Sequence, residues 1–149
     1  MSTAFFDSEE LNPPTRFYYY HNGKKTDQWI ELRLASDEDN KNIFRSIGVK
    51  EKVNNIYNPK TRQMDRQTYF DTNEEQMDRY NEAMWDFSIV DWYLVKRDRK
   101  EETEDSIPCT RENKILYMRK SPKFSSWVAS CLEKLRETLS EVGEAESKN

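Results

Sequence analysis

The sequence predicts a mainly α chain with a small N-terminal β-hairpin, an α+β domain built on a thin helical core. Three observations lead there. Several segments repeat apolar residues at helical spacing and begin with capping residues. One aromatic, β-prone run sits beside an Asn-Gly turn. Hydrophobic residues make up 35% of the 149 and charged residues another 35%, while aromatics reach 13%, more than disordered chains carry. Residues 1–15 read as a flexible segment, 16–140 as one domain, and 141–149 as a polar tail.

Taken in order, Pro13-Pro14 excludes helix near the start. "RFYYYHNGKKTDQWIELRLA", residues 16–35, reads as a hairpin turning at Asn22-Gly23, with a loop longer than the tightest type. Ile30, Leu32 and Leu34 alternate with Trp29, Glu31 and Arg33, which puts one aliphatic row on one face. Ser36 and Asp39 form an S-x-x-D box ahead of a helix over 37–47, whose buried face is Ile43, Phe44 and Ile47, and Gly48 suits its end. Residues 49–71 are ambiguous, with a short strand expected in "RQTYFD".

A second helix is expected from 73 to about Trp92, capped by Thr72. Met77, Tyr80, Met84 and Phe87 recur at helical spacing, and Trp85, Ile89 and Trp92 make a second stripe. The β-branched and aromatic content of Ser88–Val95 also permits a strand, the less favoured reading. "KRDRKEETEDS", residues 96–106, reads as a solvated loop. Thr110 caps a short helix over 110–119. Ser121 and Pro122 start a longer one over 122–140, with Phe124, Val128, Cys131, Leu135 and Leu139 as its stripe, Trp127 and Leu132 beside it, and Gly143 as its stop.

Chemistry-bearing patterns are scarce. Two Cys and one His fall short of a zinc set, and three Gly leave no phosphate-cradling loop and no nucleophile elbow. Cys131 lies on an apolar stripe, where cysteine is a small core residue. Cys109 and Cys131 lie far apart in different contexts, so reduced thiols are expected. No catalytic residue, metal or cofactor is expected. No run of about 20 apolar residues predicts a membrane span, and the N-terminal stretch has no basic region or long apolar segment, so no secretory signal is expected. The net charge of −4 argues against general nucleic-acid binding. "YNPKTRQMDRQTYF" does mix basic and aromatic residues, but Asp65 and the overall acidity favour a structural loop.

Asp91, inside the apolar run "DFSIVDWYLVKRD", raises the sharpest question. A catalytic acid needs a second group, and none is nominated. The structural reading is a carboxylate that accepts from an indole, a hydroxyl or a backbone amide, or pairs with an arginine, and so fixes its helix against a neighbour. Trp85, Ile89 and Trp92, with Trp127, Leu132 and Leu139, are either ordinary core or the lining of a groove for an amphipathic helix.

The layout "WIELR" at Trp29–Arg33, "SDED" at Ser36–Asp39, "WDFSIVDW" at Trp85–Trp92, "IPCTREN" at Ile107–Asn113 and the proline-led "SPKFSSWVASCL" resembles the small tail assembly chaperones of tailed bacteriophages and prophages. The family would have a short glycine turn where this chain carries "KRDRKEETEDS". The resemblance implies a non-enzymatic protein of the bacterial host cytoplasm, absent from the mature virion. Its implied partner is the long helical tape measure protein, held soluble until tail tube protein polymerises around it. Tail tube protein is a second implied partner, and self-association is compatible with the reading. The alternative is a structural tail or connector component retained in the virion. A small protein acting on host machinery is a third reading.

Overall fold

The computed structural model describes residues 12–147, with side chains up to Leu139. The expected flexible segment therefore lies mostly outside the described residues. The chain runs β1 (Thr15–His21), β2 (Lys24–Leu32), α1 (Asp37–Ser46), β3 (Glu51–Asn58), β4 (Gln63–Phe70), α2 (Glu74–Ser88), β5 (Ile89–Tyr93), β6 (Val95–Asp98), β7 (Thr103–Ser106), α3 (Arg111–Lys120) and α4 (Pro122–Ser147). Three separate sheets are present among the described residues, ordered β1-β2-β5, β3-β4 and β6-β7. The expectation of a mainly α domain with only an N-terminal hairpin is thus corrected to a mixed α/β fold with small sheets spread along the chain. Two compact units divide it: residues up to Leu34 together with those from Trp85 onward, and Ala35–Met84.

In the first unit the β1–β2 loop is the tight two-residue kind, not the longer one expected. Asn22 and Gly23 sit at φ +50° and +77°, and His21 pairs with Lys24. Tyr18 pairs with Trp29 and Tyr20 with Lys25, so one residue of β1 faces three of β2; the bulge lies in β2 at Thr26–Gln28, where the Thr26 hydroxyl donates a 2.6 Å hydrogen bond to the Tyr19 carbonyl.

Strand β5 corrects the expected helix to Trp92. β2 pairs with it through Trp29–Tyr93, Ile30–Trp92, Glu31–Asp91 and Leu32–Ile89. Between the last two pairs β5 carries one extra residue, Val90. That bulge lets Ile89 and Trp92, three apart in sequence, both face the core, which is the spacing a helix would show. The core of this unit gathers Ile30, Leu32, Ile89, Trp92, Leu94, Phe124, Val128 and Cys131. The last three lie on α4 at the expected helical spacing. The helix continues past Gly143 to Ser147, beyond the expected stop.

The segment 96–106, expected as a loop, is the β6–β7 hairpin. Its register sets Lys96 opposite Asp105 and Arg97 opposite Glu104, so the basic-then-acidic block is complementary once the chain doubles back.

In the second unit the Ser36 hydroxyl accepts from the Asp39 amide at 3.1 Å, and the Asp39 carboxylate accepts from the Ser36 amide at 3.0 Å. Gly48, at φ +85°, closes α1: its N–H bonds the Arg45 carbonyl and that of Val49 bonds the Phe44 carbonyl. Phe44 stacks on Phe70 at 4.7 Å and on Tyr80 at 4.3 Å, and the Tyr80 hydroxyl donates to Asn40 at 2.6 Å. The ambiguous stretch 49–71 is the β3–β4 ribbon, paired in register from Glu51–Phe70 to Asn58–Gln63. Asn73, not Thr72, caps α2: its carboxamide oxygen accepts from the Gln76 amide at 2.8 Å and its own amide donates to Gln76 at 3.1 Å.

Candidate partner-binding surface

Because β1 is an edge strand and α4 packs beneath it, their meeting line is open to solvent within the first unit. The Tyr19 ring lies against α4, where it meets Trp127 edge to face at 5.2 Å. From there aromatic contacts run inward, Trp127 to Phe124 at 6.2 Å and Phe124 to Trp92 at 5.5 Å, with Tyr117 against both. This chain of rings fixes Trp127 in place while leaving one side of it uncovered.

Two grooves flank the Tyr19–Trp127 contact. One, of about 260 Å³, is lined by Gln28, Leu94, Ile107, Tyr117, Lys123 and Phe124 among others. The second, of about 390 Å³, lies between β1 and α4 and reaches Arg16, Tyr18, Tyr20, Cys131 and Lys134. Lys123 also lies 5.1 Å from the centre of the Tyr19 ring. The linings combine rings, aliphatic carbons and cationic tips, and no carboxylate or histidine is among them. Such a surface can bury apolar side chains and attract negative charge.

The sequence-selected anchors separate clearly. Ile89 is 0% and Trp92 5% exposed, and the unit's own core covers both. The Trp92 indole N–H donates to the Ile107 carbonyl at 2.7 Å, so this side chain ties β5 to the strand-to-helix segment before α3. Trp85, Trp127 and Leu132 are half-buried against the same core. Leu139 is 54% exposed near the described end of α4. Of the six, Trp127 alone lines the grooves.

Asp91 does not sit in the core. It lies on the outer face of the sheet opposite Glu31, and its carboxylate accepts from the Trp92 amide at 2.8 Å. It holds the strand's own backbone, and the element it holds is a strand, not the expected helix.

Sequence reasoning missed the ionic cluster around Asp86. The Lys114 ammonium reaches Asp86 Oδ1 at 3.1 Å and its carbonyl at 3.2 Å, and Arg111 reaches Oδ2 at 3.3 Å. Lys114 is only 7% exposed, an unusual place for a lysine unless it is paired. Its signal was a lysine among apolar residues in a short helix, weak without knowledge of the opposing acid.

Both cysteines are free. Burial pushes the Cys109 thiol up to about 11 and also raises Cys131, so neither supplies a thiolate at neutral pH. Among the described residues no group of three or more His, Cys, Asp or Glu is placed to hold a metal ion, and no helix is long and apolar enough to cross a membrane.

No protein-family model matches the chain, and no curated protein or solved structure matches it.

Proposed function

We propose that this protein is a non-catalytic tail assembly chaperone of a bacteriophage or prophage, acting in the host cytoplasm. It holds the tape measure protein soluble until the tail tube protein assembles around it. One observation carries the reading: segments of the resemblance that lie far apart in sequence meet in one core. "WIELR" forms β2 and pairs with "SIVDW", the Ile107 carbonyl of "IPCTREN" takes the Trp92 indole N–H, and Phe124 and Val128 of the proline-led helix pack on both. The remaining segment, "SDED", caps α1 in the second unit. The grooves beside Trp127 suit the task, since an amphipathic helix needs an apolar seat with a polar rim.

The test is co-expression of the tagged chain with the untagged long helical protein encoded beside it. Under this reading the partner becomes soluble and co-purifies, and Trp127→Ala lowers its recovery severalfold while the fold is retained. A partner equally soluble alone and never captured sinks the reading. Detection of this chain at stoichiometric copy number in purified particles favours a retained tail component instead.

A further inference from the structure

Both faces of the β3–β4 ribbon are exposed, one with Ile56 and Tyr69 and the other with a longer apolar row that its own unit covers only at the base. Alternation along the paired strands puts Glu51, Val53, Asn55 and Tyr57 of β3 on the same side as Phe70, Thr68, Arg66 and Met64 of β4. Helix α1 meets this side at one end: Phe44 stacks on Phe70, and Arg45 pairs with Glu51 at 3.4 Å. Beyond that the apolar side chains are bare, with Val53 46%, Tyr57 57% and Met64 60% exposed. No third strand joins the ribbon among the described residues. A two-stranded ribbon is marginal on its own and gains stability from more strands or from a helix laid against it. α1 supplies that cover over only one end.

Charge identifies what completes it. The ribbon carries Lys52, Lys60, Arg62 and Arg66 against Glu51 and Asp65, a basic excess in a chain whose net charge is −4. Glu51 is held by Arg45, and Asp65 accepts from Asn58 at 2.9 Å. Lys52 is taken by Asp71 at 2.9 Å. Arg66, on the bare apolar face, and Lys60 and Arg62 at the tip make no ion pair among the described residues. Eight paired positions span about 26 Å, the length of about five helical turns.

We infer that the bare face of the β3–β4 ribbon is a docking surface for an amphipathic helix with an acidic flank, continuing along the ribbon the cover that α1 begins. The inference rests on the chaperone reading and names the ribbon as a contact on the tape measure protein. The apolar row seats the helix, and Arg66 with the tip cations sets its direction.

The experiment uses the full tagged chain co-expressed with the untagged tape measure protein, in three forms: unaltered, Tyr57→Ser/Met64→Ser, and Arg66→Glu. Far-UV circular dichroism and melting temperature establish that each form is folded. The expected result is capture by the unaltered chain, with recovered partner per tagged chain at least tenfold lower for the double variant and several-fold lower for Arg66→Glu. Equal capture by all three folded forms overturns the ribbon assignment and leaves the chaperone reading standing. Absence of capture by the unaltered chain overturns both. Sedimentation that finds an unaltered dimer and a monomeric double variant overturns the assigned occupant, replacing it with a second copy. A gel shift of duplex DNA lost in the same variants overturns it in favour of nucleic acid.

Discussion

Trp92 joins two kinds of cohesion at one position: its ring fills the core, and its indole N–H satisfies the Ile107 carbonyl. Trp92→Phe keeps most of the ring but leaves that carbonyl without its donor, and urea unfolding should register a loss of roughly 1–3 kcal/mol. Leu139→Ala removes an exposed side chain and should stay within about 0.5 kcal/mol by the same measurement. Cys109 gives a pH signature. Its thiol is raised from 9.0 to about 11 by burial, so above pH 9 the unfolded chain releases a proton that the folded chain keeps. The stability from this group is complete below about pH 9 and falls as pH rises toward 11. Other groups titrate there too, so the measurement is a difference: the alkaline drop in melting temperature should be smaller for Cys109→Ala than for the unaltered chain. At this scale the apolar side chains were legible in the sequence but not the direction each one faces. Trp92 and Trp127 read alike as tryptophans on stripes, and only the pairing of β5 and the packing of α4 decide which one meets solvent.

Among the elements, α1 shows local chemistry that reads directly from residues. Its capping box and its Gly48 terminus were both legible, because each depends on neighbours within four positions. Gly48→Ala keeps open space around the new methyl but forces an L residue to φ +85°. A cost of about 1–2 kcal/mol is expected, read from the shift in melting temperature. Strand β5 shows the opposite. Trp85, Ile89 and Trp92 fall at helical spacing, and the extra residue Val90 makes the strand imitate that period. A bulge is settled by the partner strand, which the sequence of β5 does not contain. The β6–β7 hairpin escaped for a related reason. A basic block followed by an acidic one is solvated either way, and only its doubling back distinguishes strand from loop.

For the molecule as a whole, an apolar content of 35% is divided between two units. Unit one buries eight residues in a single cluster, whereas Ile43 and Val49 are the buried hydrophobics described in Ala35–Met84, helped by the Phe44 stack. Local stability follows burial, so hydrogen exchange should be slowest for the β2 and β5 amides that bond across the sheet and fastest along β3 and β4, where almost every side chain is exposed. Equal protection in the two sheets would contradict this ranking. The mixture of small sheets and helices was hidden from the sequence because each sheet depends on pairings between segments, whereas caps and helical stripes are written within one segment.

The β6–β7 hairpin also offers a practical handle. Every residue from Lys96 to Ser106 is exposed, the turn at 99–102 bears no core side chain, and among the described residues no other element takes a backbone bond from that turn. An epitope or a small fluorophore-binding peptide grafted between Lys100 and Glu101 should leave the melting temperature within about 2 °C, since surface changes of this kind cost little. The protein could then be followed in cells by microscopy with both grooves left free.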